Sequence, residues 1–579
     1  MLDPAADLAA VHLKHVTFTY PFQEKPVLDD LNLDIRSGEF VLIMGPTGEG
    51  KSTLSLCLNG IIPHVLGGSL QGSIRVLGLD PSENEIAEMA TKIGLVFQDA
   101  DSQICNIFVR EEVAFGAQNL LVPRETILER IKRVLHFVGL ATQEDMPVFT
   151  LSGGEKQRLA IASVLAMEPS VVVFDEPTAN LDPGGAKEVQ ALIRELKRNQ
   201  ITILVIEHDV ANFIDLADRI VILHGGRVAY QGPPRQVYQQ HGLDIRDRLG
   251  LRLPDVVYFA LEAEKKGYHF ETFPLTVEEV PLDYLKFQPA SGQGTPASFA
   301  TSLAESEPII QVNHLCFHYP GGPTVLDDIS FKVRRGEILA IIGPNGSGKS
   351  TLTSQFVGLN RPVSGEVNVC GLDAARATIK ELAKRVGYVF QYPEHQFVAD
   401  TVFEEMAFGL KWQGFPESEV NKRAMEMLEA FQLDGFKDRH PFALSRGQKR
   451  LLSVASMLVM KPEIFILDEP TTGQDLRNLD QIMAFIQDLN RQGLTIILIT
   501  HDMGLVAQHA HSVLVLEKGR IAFHGTPWEL FARELEIEDK YELSVPAVYK
   551  LHRQIRQRYP WLPPVSSPTE LASYLIKKG

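Results

Sequence analysis

Short runs that are apolar almost throughout recur along this chain at wide intervals: Phe40–Met44, Val171–Phe174 and Ile203–Ile206 early on, then Ile464–Leu467 and Thr495–Ile499. Four or five apolar residues without alternation predict strands buried on both faces, as in parallel sheets. Longer amphipathic stretches such as Glu155–Met167 and Ala186–Lys197 lie between them and predict helices. Strand alternating with helix predicts an α/β fold in which helices cover a parallel sheet. The longest apolar runs, such as Ser170–Phe174 and Thr495–Ile499, fall far short of the roughly 20 residues that a bilayer-spanning helix needs. No charged-then-apolar leader opens the chain. The expectation is a soluble protein that would reach a membrane only by binding a membrane protein.

The pattern occurs twice. GPTGEGKST at Gly45–Thr53 returns as GPNGSGKST at Gly343–Thr351, VVVFDEPT at Val171–Thr178 as IFILDEPT at Ile464–Thr471, and IEHD at Ile206–Asp209 as ITHD at Ile499–Asp502. The offset is 298 positions for the lysines and 293 for the histidines, so one domain is repeated head to tail. Between the copies, Gln288–Pro308 is rich in Pro, Gly, Ser and Ala and reads as a flexible linker. About 20 extended residues reach up to ~60 Å, enough to let the copies dock face to face. A weaker repeat trails each copy: Leu253–Val256 leads to Thr276–Glu279, and Val545–Val548 leads to Pro568–Leu571. The predicted division is 1–286 with an appendage from about 240, a linker over 287–308, and 309–579 with an appendage from about 530.

Each copy places G-x-x-x-x-G-K-S between a strand and a helix, the context of a phosphate-binding P-loop. Gly45, Gly48 and Gly50, and Gly343, Gly346 and Gly348, let backbone N–H groups turn toward phosphates where a Cβ would collide. The helix that follows aims its positive end at the same oxygens. Lys51 and Lys349 are expected to reach the β- and γ-phosphates of ATP, Ser52 and Ser350 to ligate Mg²⁺, and Thr53 and Thr351 to take part in binding ATP. Asp175 and Asp468, at strand ends, are the expected Mg²⁺ holders, and Glu176 and Glu469 would polarise the attacking water. His208 and His501 are assigned γ-phosphate contact and orientation of that water; Gln98 and Gln391 are candidates for Mg²⁺ and water contact. A strand-end Asp-Glu, a lone His or a single Gln reads as ordinary structure when it stands alone. Recurrence in register, after a P-loop, changes that reading. Glu49 stands where the second copy has Ser347, and it is expected to point to solvent, away from the triphosphate.

Composition narrows the partners. A net charge of −17 argues against nucleic acid as the main partner. The four cysteines are scattered, with no CxxC pair, and suit free thiols in a reducing compartment.

With LSGGE at Leu151–Glu155 and LSRGQ at Leu444–Gln448, the motif set resembles the ATP-binding-cassette (ABC) ATPases over roughly Val11–Gly232 and Ile309–Gly525. The resemblance implies two tandem P-loop domains, each with a core parallel sheet, an antiparallel β subdomain, a helical subdomain and a short C-terminal helical appendage. It also implies Mg-ATP hydrolysis in two composite sites. One would use Lys51, Ser52, Gln98, Asp175, Glu176 and His208 with Ser445 and Gly447. The other would use Lys349, Ser350, Gln391, Asp468, Glu469 and His501 with Ser152 and Gly154. Tyr20 and Tyr319 match the aromatic that stacks on adenine in that family. Leu181–Asp182 and Gln474–Asp475 match its loop of communication between sites. Arg446 in place of a signature glycine and Glu155 in place of a glutamine depart from the pattern, yet spare the serine and the final glycine. Two competent sites are expected, not necessarily of equal rate.

The segments FQDADSQICNIFVREEVAFG and FQYPEHQFVADTVFEEMAFG resemble those of the ATPases of energy-coupling-factor (ECF) importers, which take up vitamins or transition-metal ions in prokaryotes. That resemblance implies a peripheral place on the cytoplasmic face of the cell membrane. It also implies a transmembrane coupling protein gripped in grooves near the Gln segments, and a separate substrate-capture membrane protein. The alternatives are the ATPase of another ABC transporter type, or a duplicated-cassette factor acting on ribosomes. Ribosome factors typically carry a long charged linker and lack the switch histidine. The 101 positions from Lys51 to Ser152 leave no room for the long coiled coil of a DNA-repair ATPase. The transported substrate is not legible, because the ATPase never touches it.

Overall fold

A computed structural model describes residues 9–179, 181–289, 306–471, 476–533, 537–538, 540–541 and 543–578. The chain divides into two compact units, Met1–Pro281 with Lys577–Gly579, and Leu282–Ile576. Most of the expected linker, and all of Gln474–Asp475, lie outside the described residues.

In the first unit the strands are β1 (Ala9–Thr19), β2 (Leu28–Arg36), β3 (Phe40–Met44), β4 (Ser69–Val76), β5 (Ile93–Val96), β6 (Val171–Asp175), β7 (Thr202–Ile206), β8 (Arg219–His224) and β9 (Arg227–Gly232). The antiparallel sheet has the order β2-β1-β4. The larger sheet runs β5-β6-β7-β3-β8-β9 and is parallel except for its antiparallel edge, β9. Every residue of β3, β5, β6 and β7 is buried, as an unalternated apolar run requires. Leu54, Cys57 and Leu58 of the helix Lys51–Leu58 pack between Ile43, Val171 and Ile206 of the parallel sheet and Leu28 and Leu31 of the antiparallel one. The P-loop helix is thereby clamped between both sheets. Helices Val109–Asn119, Arg124–Phe137 and Gly153–Leu165 form the helical part, and Pro234–Asp247 and Asp255–Lys265 the appendage.

The second unit repeats this plan. Its strands are β10 (Pro308–His318), β11 (Thr324–Arg334), β12 (Ile338–Ile342), β13 (Ser364–Val369), β14 (Leu372–Asp373), β15 (Val386–Val389), β16 (Ile464–Asp468), β17 (Thr495–Ile499), β18 (Ser512–Glu517) and β19 (Arg520–Gly525). The sheets are β11-β10-β13-β14 and β15-β16-β17-β12-β18-β19. A second core joins Val402, Met406 and Leu410 of the helical part, through Leu452 and Ala455 of Arg446–Leu458, to Phe465, Leu467 and Leu498 of the sheet. The appendage contains helices Ala547–Arg558 and Pro568–Ser573. Among the described residues no helix is long and apolar enough to cross a membrane.

Candidate functional site

Both P-loops have the same build. A Cβ on Gly45 would lie 2.6 Å from the Leu223 carbonyl oxygen, and one on Gly343 2.1 Å from that of Leu516, so only glycine fits where each loop leaves its strand. The lysines fold back over their loops. Lys51 Nζ donates to the carbonyls of Gly45 (2.7 Å) and Pro46 (2.9 Å). Lys349 Nζ does the same to Gly343 (2.7 Å) and Pro344 (2.9 Å). Tyr20 and Tyr319 are tied to the same loops, with their hydroxyls 3.1 and 3.3 Å from the Thr53 and Thr351 hydroxyls.

Glu49 departs from expectation. Its side chain is largely covered and turns onto the β8–β9 turn, where it accepts from the backbone N–H groups of Gly225 and Gly226 and lies 3.2 Å from His224 Nδ1. Two backbone donors exposed by the turn give the carboxylate a better partner than water.

β6 and β16 carry the acids to the loops. Asp175 and Asp468 close these strands, buried, and pair with Ile206 and Ile499 of the neighbouring strands. The next residues, Glu176 and Glu469, donate their N–H groups to the same Ile206 and Ile499 carbonyls and then turn sharply, at φ 48° and 46°. A left-handed glutamate is disfavoured, and its repetition in both halves marks a held geometry. His208 Nε2 lies 3.1 Å from Glu176 Oε1, and His501 Nε2 lies 3.2 Å from Glu469 Oε1. Gln98 Nε2 donates to Glu176 Oε2 at 2.6 Å. In the second half Ser350 Oγ donates to Asp468 Oδ2 at 3.2 Å, while the Gln391 carbonyl accepts from Arg450 at 3.4 Å.

Burial dominates the charge state of these acids. It pushes Asp175 up to about 6, with Glu176 adding to the rise and Ser52 and Lys51 opposing it. It pushes Glu469 from 4.5 up to about 8, with Asp468 adding to the rise. A raised carboxyl pKa means that the fold favours the neutral form. That share of stability is whole below about pH 4.5 and is lost as pH rises through about 8. The nucleotide-free protein is therefore expected to melt at falling temperature from about pH 5 to about pH 8.5, and Glu469→Gln to flatten that slope. A variant with the wild-type slope in thermal melts would contradict this assignment. The donor set of hydroxyl, carboxylate and amide oxygens, with buried acids lacking sufficient positive charge, fits a hard cation such as Mg²⁺, which needs few protein ligands beside phosphate.

The signature serines start helices. Ser152 caps Gly153–Leu165 and Ser445 caps Arg446–Leu458, each in a capping box with the residue three positions on. Glu155 accepts from the Ser152 N–H at 2.8 Å, as Gln448 does from Ser445 at 3.0 Å, so the departure at Glu155 leaves the cap intact. Gly154 and Gly447 lie in the first turns of these helices. Asp182 caps Pro183–Arg198, accepting from Gly185 at 2.9 Å.

The segments after Gln98 and Gln391 are tethered. Gln103 Oε1 accepts from Phe97 N at 3.0 Å, and buried Glu112 accepts from the N–H groups of Cys105 (3.0 Å) and Asn106 (2.8 Å). Glu405 holds Val398 (2.8 Å) and Ala399 (2.9 Å) in the same way. Beside these tethers stand exposed apolar side chains: Ile107, Met146 and Phe149 in the first half, Val398, Phe408 and Phe442 in the second. A Cβ on Gly116 or Gly409, the glycine ending each A-F-G, would meet the Met167 or Met460 sulfur at 2.7 or 2.4 Å, so that methionine would have to move to admit one.

Three residues escaped the motif reading. Glu207, Tyr388 and Arg450 are covered by neighbours next to recognised positions, and the other copy has Thr500, Leu95 and Gln157 in their places. Tyr388 OH donates to Asp468 Oδ2 at 3.1 Å, and Arg450 donates to the carbonyls of Phe390, Gln391 and Asp468. Comparing the copies position by position is the signal that would have found them.

The family model described as ABC transporter matches residues 28–179 and 326–472, once in each half. A Methanosarcina acetivorans protein named as an ABC transporter ATP-binding protein is 37% identical over 588 residues, spanning 99% of this chain and 95% of its own. A Caldanaerobacter subterraneus protein named in the same way is 40% identical, over 94% and 96% of the two chains. YkoD of Bacillus subtilis, whose name assigns it to HMP/thiamine import as the ATP-binding protein, is 38% identical, over 93% and 95%. Among solved structures, cbiO1 of Clostridium perfringens, described as part of the ABC transporter complex cbiONQ, is 34% identical at a TM-score of 0.37, covering 43% of this chain and all of its own.

Proposed function

Because the chain belongs to the ABC transporter family as an ATP-binding protein with two cassettes in one polypeptide, we propose that it energises an importer of the energy-coupling-factor type, for a vitamin or a transition-metal ion. It is an ATPase. In the proposed reading, residues 1–286 and 309–579 are the two cassettes with their appendages, joined by 287–308. Glu176 and Glu469 accept the proton of the attacking water, and His208 and His501 orient that water against the γ-phosphate. Lys51 and Lys349 hold the β- and γ-phosphates, and Tyr20 and Tyr319 stack on adenine. Each nucleotide is completed by the other half's signature: Ser445 and Gly447 for the first, Ser152 and Gly154 for the second. Ser52, Gln98 and Asp175, and Ser350, Gln391 and Asp468, would hold Mg²⁺, which supplies positive charge to the phosphate oxygens when bound. ATP held in this way favours one arrangement of the halves, and loss of the γ-phosphate removes the preference.

The observation that carries the importer reading is the apolar surface standing beside each tethered Gln segment, of the kind that marks a protein interface. A transmembrane coupling protein is the proposed occupant, with a separate capture protein beside it, and the chain sits peripherally on the cytoplasmic face. YkoD's assignment to HMP/thiamine import supports a vitamin-related cargo. Purification of the chain from membranes in mild detergent is expected to bring a multispanning membrane protein with it. The pair Phe149→Asp and Phe442→Asp should cut that recovery at least tenfold. Recovery of no membrane protein, or undiminished recovery with the variant pair, would defeat the importer reading.

A further inference from the structure

We propose that Glu207 is a positioning residue that makes the hydrolytic centre of the first half unlike that of the second, by taking the backbone N–H of the switch histidine for itself. The inference rests on the reading of Glu176 and Glu469 as the hydrolytic carboxylates. Where the two copies otherwise run in register, the residue before the histidine is Glu207 in one and Thr500 in the other, and both are buried. Glu207 Oε1 accepts from Thr178 Oγ1 at 2.6 Å and from Thr178 N at 3.3 Å, and Glu207 Oε2 accepts from the His208 N–H at 3.2 Å. One carboxyl thus ties the loop two residues past Glu176 to the residue that carries the switch imidazole.

The second half routes the same amide differently. There the His501 N–H donates at 3.3 Å to Glu469 itself, and the Thr500 hydroxyl accepts instead from the Asp502 N–H at 3.0 Å. In the first half Glu207 takes the amide, and through Thr178 it braces the loop that follows Glu176 against the residue carrying the imidazole. The brace holds the His208 ring where it stands, 3.1 Å from Glu176 Oε1. In the second half the histidine amide is tied to Glu469 directly, with no such bridge from Thr500 among the described residues. The brace acts on the reacting groups through their positions and leaves the phosphate loop untouched, so its signature is in kcat and not in KM.

Glu207→Thr gives the first half the residue that the second already carries, and Glu207→Gln retains one acceptor oxygen. In the full chain, Glu207→Thr is expected to lower kcat for ATP at least threefold with KM within twofold of wild type, and Glu207→Gln to fall between the two. Equilibrium ATP binding and thermal melts should match wild type. A kcat within 1.5-fold of wild type for both variants would overturn the proposal. So would parallel changes in kcat and KM, or loss of ATP binding or of the folded state in both variants, since each would make Glu207 a packing residue. The chain carrying Glu176→Gln with Glu469→Gln separates this proposal from the reading beneath it. If that chain still hydrolyses ATP, the assignment of the carboxylates fails; if it is inactive and the Glu207 variants are silent, only the role of Glu207 fails.

Discussion

Replacing both Glu176 and Glu469 by Gln is expected to lower ATP turnover by a factor on the order of 10²–10⁴, the range that a positioned proton acceptor supplies, while ATP still binds. Gln is nearly isosteric and keeps an oxygen toward the imidazoles of His208 and His501, 3.1 and 3.2 Å from the native carboxylates. What it loses is the capacity to accept a proton. The backbone at both positions is already left-handed and pinned by the ladder bonds to Ile206 and Ile499, so the substitution leaves the turn in place. Phosphate release under saturating ATP, beside equilibrium binding of a fluorescent nucleotide, gives both quantities. Turnover above a tenth of wild type would remove these residues from the chemistry. Each single variant should also slow turnover; if one alone does not, the idea of two working sites is wrong.

Arg450→Ala is expected to destabilise the second unit by about 3 kcal/mol, because charged donors to backbone carbonyls are worth roughly 1.5–3 kcal/mol each and their buried acceptors would be left unpaired. Arg450 is only 1% exposed, and its guanidinium donates to Asp468 O at 2.7 Å as well as to Phe390 O and Gln391 O. It stitches the segment ending at Gln391 to the strand that presents the acids. For a unit of this size, 3 kcal/mol corresponds to a drop of roughly 6–12 °C in melting temperature. The first half shows a milder solution: buried Gln157 reaches the Phe97 carbonyl at 3.3 Å. Arg450→Gln should therefore recover part of the loss. Calorimetry on the full chain checks this, and an Arg450→Ala transition within 2 °C of wild type would contradict it.

Much of the fold was legible because duplication doubled every signal. The run Phe40–Met44 became a strand with the predicted bounds, Val171–Phe174 extended by one residue to include Asp175, and Ile203–Ile206 by one to include Thr202. Helix starts were blurred where the amphipathic pattern was the guide. The stretch read as Glu155–Met167 begins at Gly153, and Ala186–Lys197 begins at Pro183, since Ser152 and Asp182 cap these helices and Gly and Pro fill their first turns. The residues proposed for hydrolysis stood out because they recur in register, and the structure brings Gln98, Glu176 and His208 together; their immediate supports did not stand out. Glu49 was misjudged because nothing in the P-loop sequence announces the Gly225–Gly226 amides, some 175 residues downstream. Glu207 and Thr500 are chemically unlike, so the repeat that revealed their neighbours hid them.

The paired ties around Gln98 have a mechanical consequence. Gln103 is fastened to the end of β5, and Glu112 fastens Cys105 and Asn106 to the next helix, so little slack remains between the glutamine touching Glu176 and Ile107 at the surface. A cord without slack carries a pull in either direction. Motion imposed on Ile107 from outside would tug on Gln98, just as a change beside Glu176 would be felt at the rim, and cutting the cord at Glu112 would let each end move while the other stayed still.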